Sequence, residues 1–111
     1  MSAIETLLKA EYFRLSRMIV RLEEECMQRP RGSLVLKKRG NQDYAYIVKR
    51  ENGKVVTEYI GKAGTWKVKG AEAKILERKR YEGELADAAK QLSKLKKMMK
   101  ASGVFFVEPT R

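Results

Sequence analysis

The amino-acid sequence predicts an α+β protein: a long N-terminal helix, a three-stranded antiparallel β-meander, and a long C-terminal helix that pairs with the first as an antiparallel helical hairpin. Three observations predict it. Apolar residues recur at alternating steps of four and three along both ends of the chain, which is the spacing of a helical seam. Between those ends the period changes to two over three short runs rich in Val, Ile and Tyr. Asn52-Gly53 separates the last two runs, and Asn-Gly is the pair favoured in two-residue hairpin turns. At 111 residues the chain has the length of a single domain, 1–111.

The first segment, 1–29, is helical. Ser2 followed by Glu5 fits a capping box. Leu8, Tyr12, Leu15, Ile19, Leu22 and Cys26 form its seam. Arg29-Pro30-Arg31-Gly32 ends it, because a residue before proline resists the α conformation. The meander occupies 30–62, with strands over 33–39, 42–50 and 54–61. Gly40-Asn41 marks its first turn and Glu51-Asn52-Gly53-Lys54 its second. On the middle strand, Tyr44, Tyr46 and Val48 share one face, while Ala45, Ile47 and Lys49 share the other. Gly61, Gly64 and Gly70 around Trp66 suggest a connector over 63–70. The second helix is predicted over 71–102, with Tyr81, Leu85, Ala88, Leu92, Leu95 and Met99 as its seam and Ser102-Gly103 as its C-cap. The apolar tail Val104–Val107, within 103–111, is expected under the sheet or against a partner. The same two seams could instead pair between chains in a homodimer.

Composition excludes several chemistries. There is no histidine, so the chain has no His general base, no Ser-His-Asp or Cys-His nucleophile and no His-ligated metal. The one cysteine, Cys26, supports neither an internal disulfide nor a cysteine zinc site by itself. Its place on the seam marks it as a core residue. Gly61-Lys62-Ala63-Gly64-Thr65 lacks the spacing of a phosphate-binding P-loop. No catalytic constellation is present, and no enzyme, cofactor or metal is expected. No run of eighteen apolar residues occurs, and the first residues lack the basic-then-apolar order of a signal peptide. The expectation is a cytoplasmic protein with no membrane partner.

Charge carries the functional signal. Lys plus Arg number 25 against 14 Asp plus Glu, for a net charge of +11. Residues 1–28 have a net charge of −1, residues 29–69 of +8, and residues 70–111 of +4. The excess therefore sits in the meander and connector, where Tyr44, Tyr46, Tyr59 and Trp66 interleave with it. Lys and Arg neutralise phosphates, and aromatic rings stack on bases. The candidate nucleic-acid-binding residues are Lys37, Lys38, Arg39, Tyr44, Tyr46, Lys49, Arg50, Lys54, Lys62, Trp66, Lys67 and Lys69. A second cluster, Lys90, Lys94, Lys96, Lys97 and Lys100, complements the dipole at the end of its helix or extends the same phosphate-binding surface.

Gly32-Ser33-Leu34, Lys38-Arg39-Gly40, Tyr44-Ala45-Tyr46, Asn52-Gly53-Lys54-Val55 and Tyr59-Ile60-Gly61-Lys62 form an ordered pattern. It resembles the short β-meander of small proteins from bacteria, their phages and mobile elements. It is also similar to the N-terminal segment of some transposases, where an N-G-K-V turn leads into a strand ending Y-L-G-K or Y-I-G-K. More loosely, it resembles the three-stranded arm-binding domain of integrases, which lays a sheet in the DNA major groove. The resemblance covers about a quarter of the chain. It implies backbone and base contacts by Lys37, Arg39, Tyr46, Lys49, Arg50 and Lys54. Neither the acidic transposase triad nor the integrase tyrosine domain follows, so a binding module without catalysis is implied.

The resulting expectation is a non-enzymatic protein that binds DNA or RNA through a basic, aromatic-bearing meander. The alternative is a protein–protein interaction module, such as a phage-encoded inhibitor docking on a host nucleoprotein complex of the CRISPR type. A third reading, a ribosome-associated factor, predicts a preference for structured RNA.

Overall fold

A computed structural model describes residues 2–104. The element order is α1 (Ala3–Met27), β1 (Ser33–Arg39), β2 (Gln42–Glu51), β3 (Lys54–Lys62) and α2 (Trp66–Ala101). Ser2 caps α1, its side chain accepting a hydrogen bond from the Glu5 backbone N–H at 3.2 Å. The two helices pack antiparallel along the predicted seams, which are satisfied within one chain. Leu15 and Leu22 are almost wholly buried, and Tyr12, Cys26, Ala88, Leu95 and Met99 are buried with them.

The sheet joins the helices at one end of a molecule 70 Å long. Its order is β1-β2-β3, with both pairings antiparallel. Asn52 and Gly53 both take positive φ, +50° and +78°, as the expected hairpin turn requires. Gly32, at φ +111°, lies so close to β2 that a Cβ would sit 2.6 Å from the Val48 carbonyl oxygen. That approach brings the chain from α1 onto the sheet. The first half of α2 lies on the face of Ala45 and Ile47, whose exposures are 0% and 6%. Val68 there packs near Gly61.

Three details differ from the sequence reading. The predicted connector over 63–70 shrinks to 63–65, because α2 begins at Trp66 rather than at 71. Gly70 is absorbed into the helix, since a glycine in a helix costs only about 1 kcal/mol relative to Ala. Val104 packs at the far end of the hairpin, against Tyr12, Leu15, Leu95 and Met99, not under the sheet. The cap at Ser102-Gly103 directs it there: the Val104 N–H donates to the Met99 carbonyl at 2.8 Å, the backbone bond of a Schellman motif. Phe105, Phe106 and Val107 lie outside the described residues.

One cationic cluster fixes the junction between helices and sheet. Arg78 Nη1 donates to the carbonyls of Cys26 and Arg29 at 2.6 and 2.7 Å, satisfying the C-terminal end of α1. Arg29 pairs with Glu25 at 2.7 Å and Glu77 at 2.8 Å. Its guanidinium lies 4.6 Å from the Tyr81 ring centroid.

Candidate nucleic-acid interface

Strand alternation and register divide the meander into two unlike faces. The face away from α2 is built row by row across the strands. Arg39 stands opposite Gln42, and Lys37 opposite Tyr44. Tyr44 is paired on its other side with Lys62. In the next row Val35, Tyr46 and Tyr59 are neighbours, then Ser33, Val48 and Thr57, then Arg50 with Val55. This outer face thus presents Lys37, Arg39, Arg50 and Lys62.

The tyrosines form a ladder at its centre. Tyr44 and Tyr59 have centroids 6.2 Å apart with planes at 52°. Tyr46 and Tyr59 are 5.5 Å apart at 60°. The Lys37 ammonium lies 5.0 Å from the Tyr46 centroid, within cation–π range. Tyr44 and Tyr46 are half-buried by this packing, whereas Tyr59 is 54% exposed. Outer-strand residues of a three-stranded sheet are about 10 Å apart, so the backbone positions of Lys37 and Lys62 flank that of Tyr44.

All three carboxylates of the sheet, Asp43, Glu51 and Glu58, fall by register on the opposite face. Lys38, Lys49 and Lys54 fall there too. Lys49 is held by Glu51 at 3.0 Å. The twelve sequence candidates are therefore not one surface. The structure brings together Lys37, Arg39, Tyr44, Tyr46, Arg50 and Lys62, and turns Lys38, Lys49 and Lys54 to the helix side. Trp66, Lys67 and Lys69 belong to the first turn of α2 rather than to a loop. Trp66 projects into solvent at 85% exposure, and Lys69 lines a cleft beneath β1.

Lys62 reaches the outer face because of a β-bulge. The register shifts between Ala45 and Tyr46, so that Tyr46 pairs with Tyr59 but Ala45 pairs with Gly61. Ile60 is the extra residue, and it reverses the alternation beyond it. Gly61 then faces Val68 and Lys62 faces outward beside Tyr44. Tyr59 and Gln42 also lie on this face and are missing from the sequence candidates. Tyr59 is signalled by sharing the period of Val55 and Thr57, in alternation with Val56 and Glu58. Gln42 carried no signal, being neither basic nor aromatic.

Elsewhere two carboxylates are held by arginines. Arg14 binds Glu11 at 2.5 Å, which holds that carboxyl below its ordinary range. The Arg29 hydrogen bond does the same to Glu77. Among the described residues, no group of three or more His, Cys, Asp and Glu side chains is placed to hold a metal, and no helix is long and apolar enough to cross a membrane.

No curated protein and no solved structure matches the chain. A family model described as a domain of unknown function, DUF6788, matches residues 4–69. That span runs through α1, the whole sheet and the first turn of α2, and includes every residue of the outer face. With more than half of its length matched, the chain belongs to the DUF6788 family.

Proposed function

We propose that this protein is a non-enzymatic, cytoplasmic nucleic-acid-binding protein that contacts phosphates and bases through the outer face of its meander. The observation that carries the reading is one sheet face with four cations, three tyrosines and no carboxylate. Such a face attracts a polyanion along its whole length, because nothing on it repels phosphate. Lys37, Arg39, Arg50 and Lys62 are the phosphate ligands in this reading. Tyr59 offers the open ring, and Tyr44, Tyr46 and Gln42 offer hydrogen-bonding groups beside it. The helical hairpin holds the sheet rigid from its other face.

Fluorescence anisotropy with labelled duplex DNA, single-stranded DNA and structured RNA tests this. Four phosphate contacts predict that a fourfold rise in salt weakens binding about a hundredfold. Absence of binding to all three probes at low salt would remove the proposal.

A further inference from the structure

A second surface lies on the opposite side of the sheet. β1 is an edge strand that hydrogen-bonds to β2 alone. Beneath its free side runs a cleft of about 430 Å³ between β1 and α2. Leu34, Leu36, Val68, Ile75 and Leu76 supply its apolar lining. Leu36 is 54% exposed and Leu76 58%, so the cleft opens directly beside the unpaired strand edge. Free edges are normally blunted or covered.

Charge indicates what covers this one. β1 ends in three consecutive cations, Lys37, Lys38 and Arg39. Lys69 and Lys79 stand at the rim of the cleft, against Glu72 as the one acidic residue lining it. A second copy of β1, paired antiparallel about Leu36, would set each cationic run opposite Ser33, Leu34 and Val35, with no carboxylate to meet it. An acidic strand would meet them with opposite charge.

We propose that the β1 edge and the cleft below it form a strand-addition site for an extended acidic–apolar segment of a partner protein. An antiparallel strand paired with β1 sets its residues opposite Leu34 and Leu36 over the cleft, and its first residues opposite Arg39, Lys38 and Lys37. The fitting segment therefore begins with three acidic residues and continues leucine, threonine, leucine, serine. Backbone hydrogen bonds along the edge supply affinity, and the two leucines supply specificity. This site shares only the cations of β1 with the nucleic-acid face, and the proposal does not rest on that reading.

The probe is a fluorescein-labelled synthetic peptide of that pattern, titrated with the full chain. Binding is expected, and Leu36→Glu or Leu76→Glu should each weaken it about tenfold or more. Both positions are exposed, and circular dichroism verifies that each variant is folded. Lys38→Glu should weaken it comparably, while Arg50→Glu on the outer face leaves it unchanged. Methylating alternate peptide nitrogens, in the register that faces β1, should abolish binding. Equal binding of that methylated peptide shows ionic attraction without strand addition and overturns the proposal. So does failure of the parent peptide to bind. A chain that sediments as a dimer dissociated by Leu36→Glu also overturns it, since a second copy then holds the edge.

Discussion

The two faces of the meander are cut from the same three strands, yet they differ in one decisive respect. Their cations are nearly equal in number: Lys37, Arg39, Arg50 and Lys62 on the outer face, Lys38, Lys49 and Lys54 on the helix side. The carboxylates are not shared. Asp43, Glu51 and Glu58 all lie on the helix side, where Glu51 already holds Lys49. A count of basic residues along the chain treats the faces alike. The distribution of acidic residues separates them, because a nearby carboxylate both repels phosphate and occupies the cation that would bind it.

The largest expected effect breaks that comparison outright. Reversing Lys37, Arg50 and Lys62 together to Glu should lower nucleic-acid affinity at low salt about a thousandfold or more, because three attractive contacts become repulsive. Reversing Lys38 and Lys54 should change it by less than about threefold. If both sets weaken binding equally, the charge acts as a diffuse cloud and the outer face has no special role. Stability should show the opposite asymmetry. Ile47→Ala on the helix side opens a cavity against α2 and should cost about 2–5 kcal/mol in urea unfolding. Val55→Ala, at an outer-face residue that is 62% exposed, should stay within about 0.5 kcal/mol.

A finer prediction isolates the bulge. Lys62→Gln should reduce the dependence of log affinity on log salt by about one unit, the signature of one lost phosphate contact. Lys54→Gln, at the other end of the same strand, should leave the slope unchanged. Equal slopes for the two variants would mean that Lys62 does not lie beside Tyr44 when nucleic acid is bound.

The bulge also marks where the sequence stops being legible. Both helical seams, the capping box at Ser2, the Asn52-Gly53 turn and the assignment of Tyr44 and Tyr46 to one face follow from local periodicity and turn chemistry. These are short-range physics and are visible in a single chain. Simple alternation from Val55 onward would place Lys62 with Val56 and Glu58 on the helix side. Only the pairing partner across the strand reveals that Ile60 is extra. The start of α2 failed for a related reason. Gly64 and Gly70 looked alike as helix breakers, but burial of Val68 and Ile75 against the sheet extends the helix through Gly70, and tertiary packing outweighs a weak local propensity. The twelve candidates come from one linear stretch, and because a strand gives alternate residues to opposite surfaces, those on the strands divide between two faces.

The smallest predicted effect concerns a cation from the same basic stretch that is committed to structure. Arg29 is shared between Glu25 and Glu77 and lies over Tyr81, so it joins the end of α1 to α2. The hydrogen bond from Arg29 holds the Glu77 carboxyl below its ordinary value. A carboxylate with a lowered folded-state pKa stabilises the fold at pH values above its unfolded pKa. That contribution is lost as pH falls through the lowered folded value, where Glu77 becomes protonated in both states. Both partners reach solvent, so the contribution is small. Urea midpoints measured at about pH 7 and about pH 3 should fall slightly more for the native chain than for Glu77→Gln. Nucleic-acid affinity of the Glu77→Gln variant at neutral pH should stay at the native level, because Arg29 lies off the outer face. A gain in affinity would show instead that Arg29, once released by its carboxylate, turns to phosphate, and that the paired and unpaired cations of this chain are interchangeable.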